Sequence, residues 1–173
     1  MNKILVTGGC GFIGSNFIRR LLIKDPSTSI INLDKLTYSG NIDNLNDIIL
    51  KKYKMIRGDI CDTQLLHSIF TKYQFDHVVH FAAESHVDRS IDNPMQFLKT
   101  NVMGTLSLLN ESIKYVNKTK NTQFRFLHVS TDEVYGSLDN SGMFTEKTPY
   151  DPSSPYSASK ASSDHLVRAW QRT

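Results

Sequence analysis

The feature that most constrains this chain is a run of glycines near its start, Gly8-x-x-Gly11-x-x-Gly14. It sits between a β-rich apolar stretch, residues 3–7, and a helical pattern carried by Phe17, Ile18, Leu21 and Leu22. Glycines alone permit a tight bend. With a strand before them and a helix after them, the backbone and the positive end of the helix can approach a pyrophosphate closely. Asp34 ends a second strand, residues 30–34, twenty residues after Gly14, where a carboxylate can accept hydrogen bonds from an adenosine ribose. No Gly-Lys-Ser/Thr follows, which excludes a nucleoside-triphosphate loop. Asp34 repels a ribose 2′-phosphate and so favours NAD over NADP, with Lys35 beside it as a cation that softens the repulsion. A methyltransferase can share a glycine-rich first turn and an acidic second strand, so the chemistry is decided elsewhere in the chain.

The remaining pattern alternates strand and helix. Asp25-Pro26 ends the first helix, and Leu45, Ile48 and Ile49 mark a short one. Residues 54–59 read as a third strand, which would set Asp59 and Ile60 beside an adenine, with an N-cap role for Asp59 equally open. Asp62 caps a helix bearing Leu65, Leu66, Ile69 and Phe70, and residues 77–81 form a fourth strand. Asn93-Pro94 opens the longest helix, Asn as N-cap and Pro as first residue. Its apolar side runs from Phe97 and Leu98 through Val102, Leu106, Leu109 and Ile113 to Val116. Residues 117–121 are a loop, 124–130 a fifth strand, 137–154 a polar connection, and Ser154-Pro155 starts the last helix. The strands are too continuously apolar for a one-sided sheet. The expectation is an α/β, Rossmann-type doubly wound parallel sheet with helices on both faces, forming one domain over residues 1–173.

Composition narrows the partners. With 39% apolar and 21% charged residues the chain is an ordinary globular one. A net charge of +3 with no basic stripe makes nucleic acid no default partner. No apolar run reaches membrane-spanning length and the start is too short in apolar residues for a signal peptide, so a cytoplasmic location is expected. Cys10 and Cys61 lack Cys-x-x-Cys spacing. His77, His80 and His86 form no His-Glu-x-x-His arrangement, so no metal is expected.

Tyr156 and Lys160 lie four residues apart at a helix start and hence on one helix face. A nearby cation stabilises phenolate and lowers a tyrosine pKa. Such a pair can take a proton from a sugar hydroxyl, and the lysine can also hold a ribose.

Together these residues carry a resemblance. Thr-Gly-Gly-x-Gly-Phe-Ile-Gly at 7–14, with Tyr156 and Lys160, resembles the extended short-chain dehydrogenase/reductase family, whose members act largely on nucleotide sugars. The segments at 34–38, 81–88, 130–136 and 155–160 further resemble the dTDP-glucose 4,6-dehydratase family within it. The likeness spans the whole chain, and Thr131-Asp132-Glu133 is its most specific part. It implies NAD as cofactor and a reaction in which Tyr156 removes the 4-hydroxyl proton as hydride leaves carbon 4. Glu133 then takes the carbon 5 proton, and Asp132 protonates the departing carbon 6 hydroxyl. Hydride returned to carbon 6 gives a 4-keto-6-deoxy sugar, a precursor of rhamnose. Thr131 would hydrogen-bond the 4-hydroxyl.

By the same resemblance, Gly8, Gly11, Phe12, Ile13, Gly14, Asp34, Lys35, Leu36, Thr37, Asp59, Ile60, Phe81, Ala82, Ala83, Ser85, Thr100, Tyr156 and Lys160 line the NAD site. Ser85, Thr131, Asp132, Glu133 and Tyr156 meet the sugar nucleotide. The helices at 94–117 and 155–172 would form a homodimer interface. Family members continue for roughly another domain's length, which supplies most nucleotide contacts, so a C-terminal substrate domain is expected to lie outside this sequence. Two rivals stand: a UDP-glucose 4,6-dehydratase or nucleotide-sugar 4-epimerase, and a noncatalytic NAD-binding fragment. Epimerases carry Ser-Ser-Ala-like residues where this chain has Ser130-Thr131-Asp132-Glu133, which favours water elimination.

Overall fold

The computed structural model describes residues 2–48, 52–138 and 141–173, so Ile49, expected in a short helix, lies outside the described residues. The chain divides into two compact units, Met1–Ala82 with Ser107–Val129, and Ala83–Leu106 with Ser130–Thr173.

The first unit is a five-stranded parallel sheet. Its strands are β1 (Lys3–Thr7), β2 (Ser29–Asp34), β3 (Tyr53–Arg57), β4 (His77–His80) and β5 (Arg125–His128), in the order β3-β2-β1-β4-β5. Successive side chains of a strand point to opposite faces, and here both faces are apolar. Leu5, Ile31, Leu33 and Val78 pack with Leu66, Ile69 and Phe70 of α2 (Thr63–Tyr73) and with Leu108 and Tyr115 of α5 (Thr105–Thr119). Ile4, Val6, Ile30 and Val79 pack on the other side with Ile18 of α1 (Phe12–Lys24). This is the doubly wound sheet that the sequence pattern implies. The order reverses between β1 and β4, the place where open α/β sheets take ligands.

Element ends differ from the sequence pattern where side chains intervene. β3 stops at Arg57 because the Asp59 carboxylate accepts from the Cys61 N–H at 2.9 Å and turns the chain toward α2. Asp62 then caps α2 as expected, accepting from Leu65 N–H at 2.9 Å. β5 ends at His128 rather than residue 130, with Val129 giving a last N–H to the His80 carbonyl at 3.1 Å. α5 runs to Thr119, past the expected loop start, and ends where Lys120 turns left-handed at φ 56°.

In the second unit the expected single helix from Pro94 is three pieces: α4 (Pro94–Phe97), a wider π-helical segment (Leu98–Gly104), and the beginning of α5. Apolar periodicity reads the outer face and is blind to one widened turn. An unforeseen helix, α3 (Val87–Asp92), precedes them. Asn93 is not the side-chain N-cap that Asn-Pro suggests. It closes α3 through its N–H to the Arg89 carbonyl at 2.9 Å, and its side chain makes no cap bond. α6 (Pro155–Arg172) does start on a built cap: Ser154 Oγ accepts from Ser157 N–H at 3.0 Å, and Ser157 Oγ from Ser154 N–H at 2.9 Å. Among the described residues no helix is long and apolar enough to cross a membrane.

Candidate active site

In the first unit, every strand from β1 to β4 passes at its carboxyl end into residues singled out from the sequence. Gly8 stands at φ 72°, and a Cβ there would lie 2.5 Å from the Ala82 nitrogen. At Gly14 a Cβ would meet the Gly8 carbonyl oxygen at 2.4 Å. Both are therefore required by the fold itself. Gly11 is not: its Cβ would find only the Gly8 carbonyl oxygen, at an ordinary 3.4 Å. Gly11 is the N-cap of α1, has no side chain to cap the helix, and is followed by a first turn without acidic residues. The first turn of α1 thus offers its positive end no acidic side chain of its own. Phe12 and Ile13 beside it are 84% and 61% exposed. A bare helix N-terminus behind a turn without side chains, flanked by apolar groups, fits a dinucleotide pyrophosphate.

Two side chains of β2 hold the turn. Asn32 Oδ1 accepts from Gly9 N–H at 3.0 Å and Asp34 Oδ2 from Cys10 N–H at 2.8 Å. Asp34 Oδ1 also accepts at 2.8 Å from the N–H of Leu36, which itself stands at φ 56°. The carboxylate expected to serve a ribose therefore first shapes the protein, each oxygen keeping further lone pairs for a ligand. Lys35, expected to soften repulsion of a 2′-phosphate, is ion-paired to Asp59 at 2.8 Å. Burial would raise the Asp59 carboxyl, but Lys35 and the Cys61 N–H hold it below the usual carboxylate range. Asp62, not Asp59, is the N-cap of α2. Ile60 places its side chain in the core. Thr37 accepts from Gly40 N–H through its carbonyl at 3.1 Å. Phe81 packs its ring 5.3 Å from that of Phe17, and Ala82 N–H reaches Thr7 Oγ at 3.4 Å.

The second unit gathers the expected catalytic residues. α6 packs against α3, α4, the π-helical segment and a 3-10 turn formed by Asp132–Tyr135. Thr131 caps that turn, accepting from Glu133 N–H at 3.3 Å, and so sets Asp132 exposed and Glu133 half-buried one after the other. Tyr156 is buried, its ring edge-on to Phe97 at 6.3 Å. Its pKa corrects the sequence expectation. Burial pushes the phenol up, a hydrogen bond with Thr131 pulls it down, and Glu133, Asp132 and Asp164 push it up again. The net direction is upward, not the lowering expected from Lys160. Thr131, expected on the sugar, here bonds the tyrosine. Lys160 is only 4% exposed, and burial lowers its ammonium to about 8 against the pull of Asp164.

Ala83 is half-buried and Ser85 exposed ahead of α3. Thr100 Oγ lies 3.3 Å from Gln96 Nε2. Asn101, next in the chain to Thr100 and not among the residues expected at the site, is buried in the π-helical segment. It accepts from Glu84 N–H at 2.8 Å, and donates to the Glu84 carbonyl at 2.9 Å and to Ser159 Oγ at 2.8 Å. Spacing does not single it out, since Gln96, Asn101 and Asn110 all carry amides along this run; its burial, which makes partners necessary, comes from the fold.

Two outcomes follow from this geometry. Gly14→Ala forces backbone apart and should cost about 1–3 kcal/mol, whereas Gly11→Ala should cost about 1 kcal/mol or less, read by urea denaturation; equal losses would contradict the division of roles. Lys160 binds its proton less tightly folded than unfolded, so the penalty is full below pH 8 and is relieved as pH rises from about 8 to 10.5. Relative to Lys160→Met, the wild type should gain about 3 kcal/mol across that window; parallel stability curves would contradict the buried ammonium.

The GDP-mannose 4,6 dehydratase family model matches residues 5–173. A dTDP-glucose 4,6-dehydratase of Salmonella typhimurium is 53% identical over 99% of this chain and 51% of its own length. Among solved structures, a dTDP-glucose 4,6-dehydratase from Streptomyces venezuelae with NAD bound has a TM-score of 0.88 at 48% identity, over 99% of this chain and 52% of that one. A UDP-glucose 4-epimerase from Thermotoga maritima has a TM-score of 0.85 at 33% identity, over 98% and 51%. The chain thus spans about half the length of the curated relatives it matches.

Proposed function

Because the chain belongs to the GDP-mannose 4,6 dehydratase family, we propose that it carries the cofactor and acid–base half of an NAD-dependent nucleotide-sugar 4,6-dehydratase acting on dTDP-glucose. The observation that carries the reading is the Thr131-Asp132-Glu133 turn, whose two carboxylates both act electrostatically on Tyr156. Sheet geometry does not separate this from epimerisation, since dehydratase and epimerase structures match almost equally well. An epimerase has no water to eliminate and no use for two carboxylates beside the base.

Bound at the glycine turn, NAD⁺ would supply the hydride acceptor at carbon 4 and its return to carbon 6. The protein's own residues do the rest. Gly8, Gly11, Phe12, Ile13, Gly14, Asp34 to Thr37, Asp59, Ile60, Phe81 to Ala83, Ser85, Thr100 and Lys160 bind the cofactor. Tyr156 takes the proton of the 4-hydroxyl, with Thr131 favouring the phenolate. Glu133 removes the proton on carbon 5, acidified by the new ketone, and gives a proton back to carbon 5 when hydride returns to carbon 6. Asp132, in its acid form, gives a proton to the leaving 6-hydroxyl. The acid form of Asp132 also lifts one of the negative charges that oppose the Tyr156 phenolate, so the two steps favour the same protonation state.

The product is a 4-keto-6-deoxy sugar nucleotide, as needed for rhamnose. We place the reaction in the cytoplasm and the protein in a homodimer through residues 94–117 and 155–172. Met95, Leu98 and Met103, bare on the first of these stretches, support that interface.

Glu133→Gln tests the assignment. In deuterated water with dTDP-glucose and NAD⁺, it should hold NAD as the wild type does while carbon 5 exchange falls about 10²–10⁴-fold. Undiminished exchange would remove Glu133 from the mechanism.

A further inference from the structure

Tyr156, Lys160 and Asp164 recur every four residues along α6, and all three are buried. The first two belong to the proposed chemistry; Asp164 has no part in it. A carboxylate is rarely so enclosed unless it is partnered. Asp164 Oδ2 accepts from Ser130 Oγ at 2.5 Å and from Tyr150 Oη at 3.0 Å. Ser130 immediately precedes Thr131-Asp132-Glu133. Tyr150 stands beyond the turn and packs its ring edge-on against Tyr135, the turn's last residue, at 5.3 Å. The Asp151 N–H next to it closes on the Val134 carbonyl at 3.0 Å. One oxygen of α6 therefore grips the chain on both sides of the acid pair.

We propose that Asp164 is a positioning residue, a carboxylate clamp that fixes the Asp132–Glu133 turn to the helix face carrying Tyr156 and Lys160. The proposal rests on the dehydratase reading for its purpose but not for its test. Short hydrogen bonds to a charged acceptor are stronger than neutral ones, which suits a clamp better than an amide would. The same charge faces Lys160 one helical turn away and supports its ammonium against burial. The other groups around the clamp are Arg168 and His165 on α6 and Asp132 and Glu133 on the turn, together with the phenols of Tyr135, Tyr150 and Tyr156. The charges of α3 (Asp88, Arg89 and Asp92) and of the π-helical segment (Lys99) are exposed.

The test uses the whole 173-residue chain without ligands. Lysine ε-carbons are labelled with ¹³C, titrated by NMR, and Lys160 is assigned by Lys160→Met. Asp164→Asn keeps an acceptor but removes the charge, and should lower the Lys160 midpoint by about one pH unit. Ser130→Ala and Tyr150→Phe should leave that midpoint in place. Each should speed amide exchange at Glu133, Gly136 and Asp151 about tenfold. A Lys160 midpoint unmoved in Asp164→Asn, or unchanged exchange in both hydroxyl variants, overturns the clamp; if Asp164→Asn does not fold, the hydroxyl variants decide it. A wild-type chain that forms no dehydrated product defeats the dehydratase reading and leaves these measurements standing.

Discussion

The glycine turn after β1 is held by the strand beside it. Asn32 and Asp34 reach from β2 to take the N–H groups of Gly9 and Cys10, so the turn's donors are satisfied from below and its outer surface is left to a ligand. The arrangement works only because Gly8 can stand at a positive φ against Ala82 and Gly14 can lie against the Gly8 carbonyl. Asn32 also donates to the Tyr53 hydroxyl at 2.9 Å, which joins β3 to the same network. Enclosure in that network pushes the Tyr53 phenol up to about 12 and the Cys10 thiol to about 11, so neither group is a titrating participant near neutral pH. The polar atoms under the turn are structural, and Gly11 with the bare end of α1 is what remains for binding.

The second unit solves a different problem, which is how to keep charged chemistry in a buried place. Burial raises Tyr156 and lowers Lys160, each toward its neutral form. The nearby carboxylates act oppositely on the two, opposing the phenolate while Asp164 supports the ammonium. The amide of Asn101 and the hydroxyl of Ser159 make the same region rigid without adding charge.

Much of this was legible in the sequence, for identifiable reasons. Strand, glycine turn and helix are local features, and the alternation of Ile4, Leu5 and Val6 between two apolar faces is written in consecutive residues. The cap at Ser154 and the spacing of Tyr156 and Lys160 are equally local. What escaped notice depends on distance along the chain. Ser130 and Asp164 are 34 residues apart and meet through a polar connection with no periodicity to read. Asp34 was legible as an acidic strand end but not as the acceptor for Cys10 and Leu36, because only the folded turn brings those N–H groups to it. The widened turn at Asn101 hides inside apolar spacing that fits an unbroken helix equally well. The spacing of Tyr156 and Lys160 implies a lowered phenol because spacing shows which charges are near but not how deeply the phenol is enclosed.

Loss of water from a nucleotide sugar is the event the proposed site must bring about. Incubation of the protein with NAD⁺ and dTDP-glucose, followed by mass spectrometry of the nucleotide sugar, should show loss of one water and no net consumption of NAD⁺, with UDP-glucose unchanged. Intact dTDP-glucose from a chain that demonstrably binds NAD would contradict it.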